Sequence, residues 1–158
     1  MKKDDYMKAR GFELVIDNHR KFEDVKLPLR GSKTSAGYDF YSNNEMVRLK
    51  PDEEYIFWTD VKAYMLSDEV LKIYIRSSSA IKHGLVLKNQ VGIIDSDYYS
   101  NVKNDGNIGI CIKNNANYHY ADIFKSDRIA QGIFIKYLES DNCNSIKDRV
   151  GGIGSTNK

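Results

Sequence analysis

The sequence predicts an all-β domain, a sandwich or barrel, on three observations. Short segments rich in β-branched and aromatic residues recur along the chain. Clusters of Gly, Asn, Asp and Ser separate them, and no long stretch keeps a helical period. The first candidate strand is 12–16, followed by 55–58 and 71–75. In the last of these, Leu71, Ile73 and Ile75 alternate with Lys72, Tyr74 and Arg76, a period of two that buries one face of a sheet. Residues 77–83 have room for about two helical turns. Further candidate strands are 85–87, 91–94, 108–112 and 129–137.

The 158 residues suit one domain, divided here into a β domain at 1–138 and a polar C-terminal arm at 139–158. Lys and Arg number 24 against 22 Asp and Glu, so the net charge of +2 argues against a general nucleic-acid binder. No apolar run approaches the roughly 20 residues that span a bilayer, and no membrane partner is expected. The polar opening MKKDDY lacks a signal-peptide core. Cys111 and Cys143 are too few for a disulfide scaffold. Together these point to a reducing cytoplasm, or a host-cell cytoplasm for a viral chain.

Four polar clusters interrupt the strand pattern. Thr34-Ser35-Ala36-Gly37-Tyr38-Asp39 is a small-residue turn entering a strand with a carboxylate in it. Arg76-Ser77-Ser78-Ser79 ends the alternating strand and opens the short helix. Arginine, hydroxyls and free helical amides suit an anion, and a surface arginine beside a serine N-cap would have the same sequence. Gly92-Ile93-Ile94-Asp95-Ser96-Asp97-Tyr98 puts Asp95 at the end of an apolar strand, where a carboxylate can serve as general base toward water or simply close a turn. Asp95 and Asp97 alone would make a poor metal cage. In the arm, Gly151-Gly152-Ile153-Gly154-Ser155-Thr156 can bring backbone amides close to an anion, with Arg149 just before it.

Their order and spacing resemble the homotrimeric dUTPases (deoxyuridine triphosphate nucleotidohydrolases). That family carries five short motifs, and here they read Ser35-Ala36-Gly37-Tyr38-Asp39, Arg76-Ser77-Ser78, Gly92 to Tyr98, Asp127-Arg128-Ile129-Ala130-Gln131, and Gly151 to Thr156. The likeness spans about residues 28–156. It implies a jelly-roll-like β subunit with a flexible C-terminal arm, assembled as a homotrimer with active sites at subunit interfaces. The implied reaction is hydrolysis of dUTP to dUMP and pyrophosphate with Mg²⁺, which limits uracil incorporation into DNA and supplies dUMP for thymidylate synthesis.

The resemblance also implies roles. Asp95 would be the base that activates water. Tyr98 would pack against the deoxyribose where a ribose 2′-hydroxyl would otherwise lie. Asn89, with backbone around Gly92, Ile94 and Gly109, would read the uracil edge. Arg76, Ser77, Ser78 and Gln131 would hold the phosphates. Asp39 would support Mg²⁺ indirectly, through water, the ion being held mainly by substrate phosphates. The arm, contributed by another subunit, would close over the nucleotide through Arg149, Ile153, Gly154, Ser155 and Thr156.

The chain departs from the family pattern in places. Ile75 stands where proline often precedes the motif arginine, and Ser126 where glycine often precedes the fourth motif. Ile153 replaces the usual lid aromatic, and Arg149 lies one position closer to the glycines than is commonest. About six extra residues, 100–105, follow Tyr98; they read as a longer hairpin tip on the surface, the alternatives being a lip on the uracil pocket or a docking loop for a regulatory protein. A dCTP deaminase of the same fold would need a glutamate on the next strand, and no Glu or Asp lies between Gly106 and Tyr120. A non-catalytic, regulatory member of the family is the other reading the sequence allows.

Overall fold

The computed structural model describes residues 8–143, 149, 151 and 152. Among them the chain forms twelve strands and one short α-helix. In chain order these are β1 (Gly11–Leu14), β2 (Leu29–Arg30), β3 (Tyr38–Tyr41), β4 (Met46–Leu49), β5 (Glu54–Trp58), β6 (Val61–Tyr64) and β7 (Glu69–Ile75). Helix α1 (Ser77–His83) comes next, then β8 (Leu85–Leu87), β9 (Gly92–Asp95), β10 (Gly109–Asn114), β11 (Ala121–Phe124) and β12 (Arg128–Lys136). No helix here is long and apolar enough to cross a membrane.

The largest sheet runs β2-β3-β12-β7-β9, all antiparallel. A second has the order β5-β10-β8, and the pairs β1-β6 and β11-β4 complete the shell. Phe40, Leu71, Phe57 and Ile112 from the two larger sheets, with Leu49 of β4 and Ile108 just before β10, fill the interior. Alternation does the sorting: in β10, Ile110, Ile112 and Asn114 are buried while Gly109, Cys111 and Lys113 are half-buried. Asn114 is tolerated inside because its amide donates to the Leu49 and His119 carbonyls at 3.0 and 2.9 Å.

Helix α1 occupies the residues the sequence reserves for it, and the expected strands are present within a residue or three. Strands β2, β4, β6 and β11 are not among those expected. They are two to four residues long and carry charges, which hides their period. On β4 and β11, Arg48 faces Asp122 across the ladder and grips it with two bonds of 2.6 and 2.7 Å. On β6, Lys62 points inward and is buried against Asp105.

That contact corrects the reading of 100–105 as an exposed hairpin tip. Asn101 and Asp105 are buried, and Asn104 is half-buried. Asp105 accepts from Lys62 Nζ at 2.8 Å and from the Ile16 backbone N–H at 2.8 Å. Asn101 donates to the Tyr98 carbonyl at 2.8 Å. Ser100, Val102 and Lys103 face solvent. Ser126 is also more than a neutral strand-end change. Its φ of 68° is left-handed, where a side chain costs about 1–2 kcal/mol relative to glycine.

Burial works to raise the Asp105 pKa, but the Lys62 hydrogen bond and the Ile16 amide outweigh it and leave it lowered. A carboxylate with a lowered folded pKa contributes stability above its unfolded value, about 3.9, and loses it as pH falls through the folded value. Asp105→Ala removes that contribution and strands a buried lysine, so it is expected to destabilise the fold by about 3–5 kcal/mol in urea denaturation at pH 7. The gap from wild type should narrow below about pH 4. A loss under about 1 kcal/mol would mean that the pair is solvated and does not anchor the segment.

Candidate active site

Two recesses hold the sequence-predicted residues. The first is an apolar cavity of about 320 Å³ between β7, β8, β9 and β10. Asn89, Gly92, Ile94, Asp95, Tyr98, Gly109 and Arg149 all line it, as the motif reading expects, on a floor of Ile73, Leu87 and Ile110. The spacing follows from the ladder. Asp95 ends β9 opposite Val70, and Gly92 faces Ile73. The chain then turns through a short 3-10 helix, Ser96–Tyr98, which drops the Tyr98 ring into the wall. Gly109 has no room for a side chain: a Cβ there would lie 2.9 Å from the Trp58 ring. Backbone is therefore the surface presented at that point.

Asp95 is half-exposed at the mouth of this cavity. Burial against the apolar strand raises its pKa; the neighbouring Asp97 adds to the rise, and Arg149 opposes it. Arg149 bridges both carboxylates, with Nη2 on Asp95 and Nε on Asp97 at 2.6 Å. Gly152 lies flat on the Tyr98 ring, where a Cβ would stand 2.6 Å from Cε2. Arg149 and Gly152 thus rest on their own chain's Asp95 and Tyr98. Ile153, Gly154, Ser155 and Thr156 lie outside the described residues.

The second recess, about 340 Å³, is polar and lies beyond the other end of β7. Asp39, Arg76, Ser77, Ser78 and Gln131 line it, together with Ser35, Gly37 and Arg128. Asp39 is buried, pairing with Arg76 at 2.9 Å and with Arg128 at 3.4 Å. Arg76 is neither a loose surface arginine nor accompanied by a serine cap. It is itself the N-cap of α1 with no side-chain cap bond, so the first amides of the helix keep their donors. Gly37 makes space for Gln131, whose Oε1 would sit 2.4 Å from a Cβ there. This recess collects donors and cations fit for a phosphate chain.

The two recesses share no lining residue. Asp95 is level with Val70, whereas Arg76 follows six positions farther along the same strand, a separation of about 20 Å. No triphosphate spans that distance, so one chain offers the base at one place and the phosphate grip at another. Asp97, Arg128 and Gly152 lie within the motifs but are given no role by the resemblance. Asp97 and Arg128 show their role only through an ion pair to a residue distant in sequence. Among the described residues no three His, Cys, Asp or Glu converge into a metal cage. Asp39 has both carboxylate oxygens on guanidinium groups, Oδ1 on Arg76 and Oδ2 on Arg128, an arrangement that fits contact with an ion through water rather than direct ligation.

A dUTPase family model matches residues 23–157. The deoxyuridine 5′-triphosphate nucleotidohydrolase of Lactococcus lactis is 41% identical over 152 residues, covering 95% of this chain and 99% of its own length. The mouse enzyme of the same name is 33% identical over 144 residues, with 88% and 83% covered. Among solved structures, the dUTPase of Streptococcus mutans superposes with a TM-score of 0.73 at 38% identity, over 84% of this chain and 99% of that one. A variant of the dUTPase of Staphylococcus aureus phage phi11, described with a structural Mg(II) ion, follows at 0.68 and 25%, over 89% and 98%. The motifs, the two recesses and these likenesses agree: the chain belongs to the dUTPase family, the nucleotidohydrolases that convert dUTP to dUMP.

Proposed function

We propose that this dUTP diphosphatase works in sites shared between copies of the chain, with Asp95 as base and the Arg76 recess of a neighbouring copy as phosphate clamp. The observation that carries this reading is the separation of about 20 Å between Asp95 and Arg76 along one strand. A second copy that brings its polar recess against the first copy's apolar cavity completes a site, and a homotrimer closes such a head-to-tail arrangement into three.

In the apolar cavity, uracil would meet the Asn89 amide and the strand backbone at Gly92, Ile94 and Gly109, whose fixed donors and acceptors favour a carbonyl over an amino group. Tyr98 would lie along the deoxyribose. Water, a weak nucleophile, would be oriented at the α-phosphate by Asp95, which accepts its proton as the new P–O bond forms and pyrophosphate leaves. Arg76, Ser77, Ser78 and Gln131 of the neighbour would neutralise the growing charge, with Asp39 and Arg128 setting the Arg76 fork. Mg²⁺ would supply further charge neutralisation on the phosphates when bound, with Asp39 reached through water. The arm of 139–158 would exchange the Arg149 contacts for phosphate and lay Ile153, Gly154, Ser155 and Thr156 over the nucleotide. The reaction would take place in the cytoplasm, or a host cell's cytoplasm, where nucleotide pools lie.

Pyrophosphate release measured on dUTP, dCTP, dTTP and UTP with Mg²⁺ is expected for dUTP alone. Asp95→Asn should lower kcat by at least about 100-fold and leave dUTP binding in place. Surviving turnover would remove Asp95 from the role of base.

The pKa pattern gives a second expectation. Base activity is lost as pH falls through a raised Asp95 value, so the acidic limb of kcat/KM, corrected for substrate ionisation, should lie above the ordinary aspartate range. Asp97→Asn removes a like charge and should move that limb to lower pH. A limb that stays put or rises in this variant would contradict the assigned cause.

A further inference from the structure

Residues 100–105 do more than lengthen a loop. Tyr98 is 8% exposed and, among the described residues, makes four side-chain and backbone hydrogen bonds, all with this segment or its exit. Its hydroxyl donates to the Asn107 carbonyl at 2.7 Å and accepts from Asn104 Nδ2 at 2.8 Å. Its carbonyl accepts from Asn101 Nδ2 at 2.8 Å. Burial raises the phenol pKa while the Asn104 bond works the other way, so the hydroxyl keeps its proton for Asn107. The segment is itself rigid: Asn104 Oδ1 accepts from Asn101 Nδ2 at 2.8 Å and from Gly106 N–H at 3.1 Å. Asp105 then ties its end to Lys62 and to β1's extension at Ile16.

We infer that 100–105 is a bracket for the sugar-facing ring, and that Asn104 is a positioning residue for the discrimination of deoxyribose from ribose. The inference rests on the reading that Tyr98 excludes a 2′-hydroxyl. An aromatic ring rejects one added oxygen only if it cannot swing aside, and a phenol fixed at its far end by two partners cannot swing without breaking a hydrogen bond. Asn104 acts on the substrate through Tyr98 and touches no reacting atom. Lys103, on the outer side of the same segment, lies beside Gly151, its Cδ 2.4 Å from where a Cβ would stand. The bracket reaches the cavity through Tyr98, which lines it.

The experiment compares kcat/KM for dUTP and UTP in the full-length oligomer. Asn104→Asp keeps Oδ1, with its bonds to Asn101 and Gly106, and replaces only the donor that faces Tyr98 and the Asn107 carbonyl. Asn104→Ala removes both. Each is expected to lower the dUTP/UTP ratio by about 3- to 10-fold, mainly by raising activity on UTP. In a Tyr98→Phe background, which has no hydroxyl to hold, Asn104→Asp should leave the ratio unchanged. A ratio that stays at the wild-type value in both Asn104 variants, or falls equally with and without the hydroxyl, overturns the assignment. Tyr98→Leu tests the reading beneath it: an unchanged ratio there would withdraw Tyr98 itself from sugar discrimination, whereas a lowered ratio beside wild-type Asn104 variants would sink the bracket alone.

Discussion

Strand β7 is the ruler on which the rest of the structure depends. It pairs with β9 on one side and β12 on the other, so it fixes both the carboxylate and the phosphate-binding motifs in one register. Asp95 is level with its start, Arg76 follows its end, and Gln131 sits across from Tyr74. Antiparallel pairing with a buried face leaves no freedom to slip, since a one-residue shift would turn Leu71 and Ile73 out to solvent. The distance between Asp95 and Arg76 is thus a consequence of core packing. The proposed site shared between chains rests on that distance.

The cavity end of the ruler is held by polar groups as much as by apolar ones. Lys62 and Asp105 neutralise each other inside, and Asp60 and Asn107 exchange two bonds of 2.9 and 2.7 Å beside them. Asp60 also gathers the Lys21 and Phe22 amides at 2.6 and 2.7 Å. Such groups are costly to bury unless every partner is present, which makes their arrangement all-or-none. The payoff lies in the ring they surround: Tyr98 has one position. Nearby, Arg149 pairs with Asp95 and Asp97, so the proposed mechanism requires that contact to open before water reaches Asp95.

Much of this is legible in the sequence, and the reasons for the rest are physical. The alternation of 71–75 and the motif at 92–98 put Asp95 at a strand end and Tyr98 in the cavity wall, where the fold has them, because both depend on local pattern. Arg76-Ser77-Ser78 is read as an anion site and does line the polar recess. Lys62 carries no local sign of its burial, because that depends on Asp105, more than forty positions away. The same blindness makes 100–105 look like a tolerated surface tip, since asparagines and an aspartate in a row are turn residues in any local reading. Arg128 and Asp97 become visible only once their ion partners are brought to them by the fold.

The central claim, that one site draws on two copies, is tested most directly by mixing two inactive variants. Asp95→Asn lacks the base and Arg76→Gln lacks the clamp, and each homotrimer should be inert. Co-refolding equal amounts should return activity in about one quarter of the sites, those pairing an intact Asp95 with a neighbour's intact Arg76. Mixed oligomers that contain both variants by mass and remain inactive would contradict a shared site.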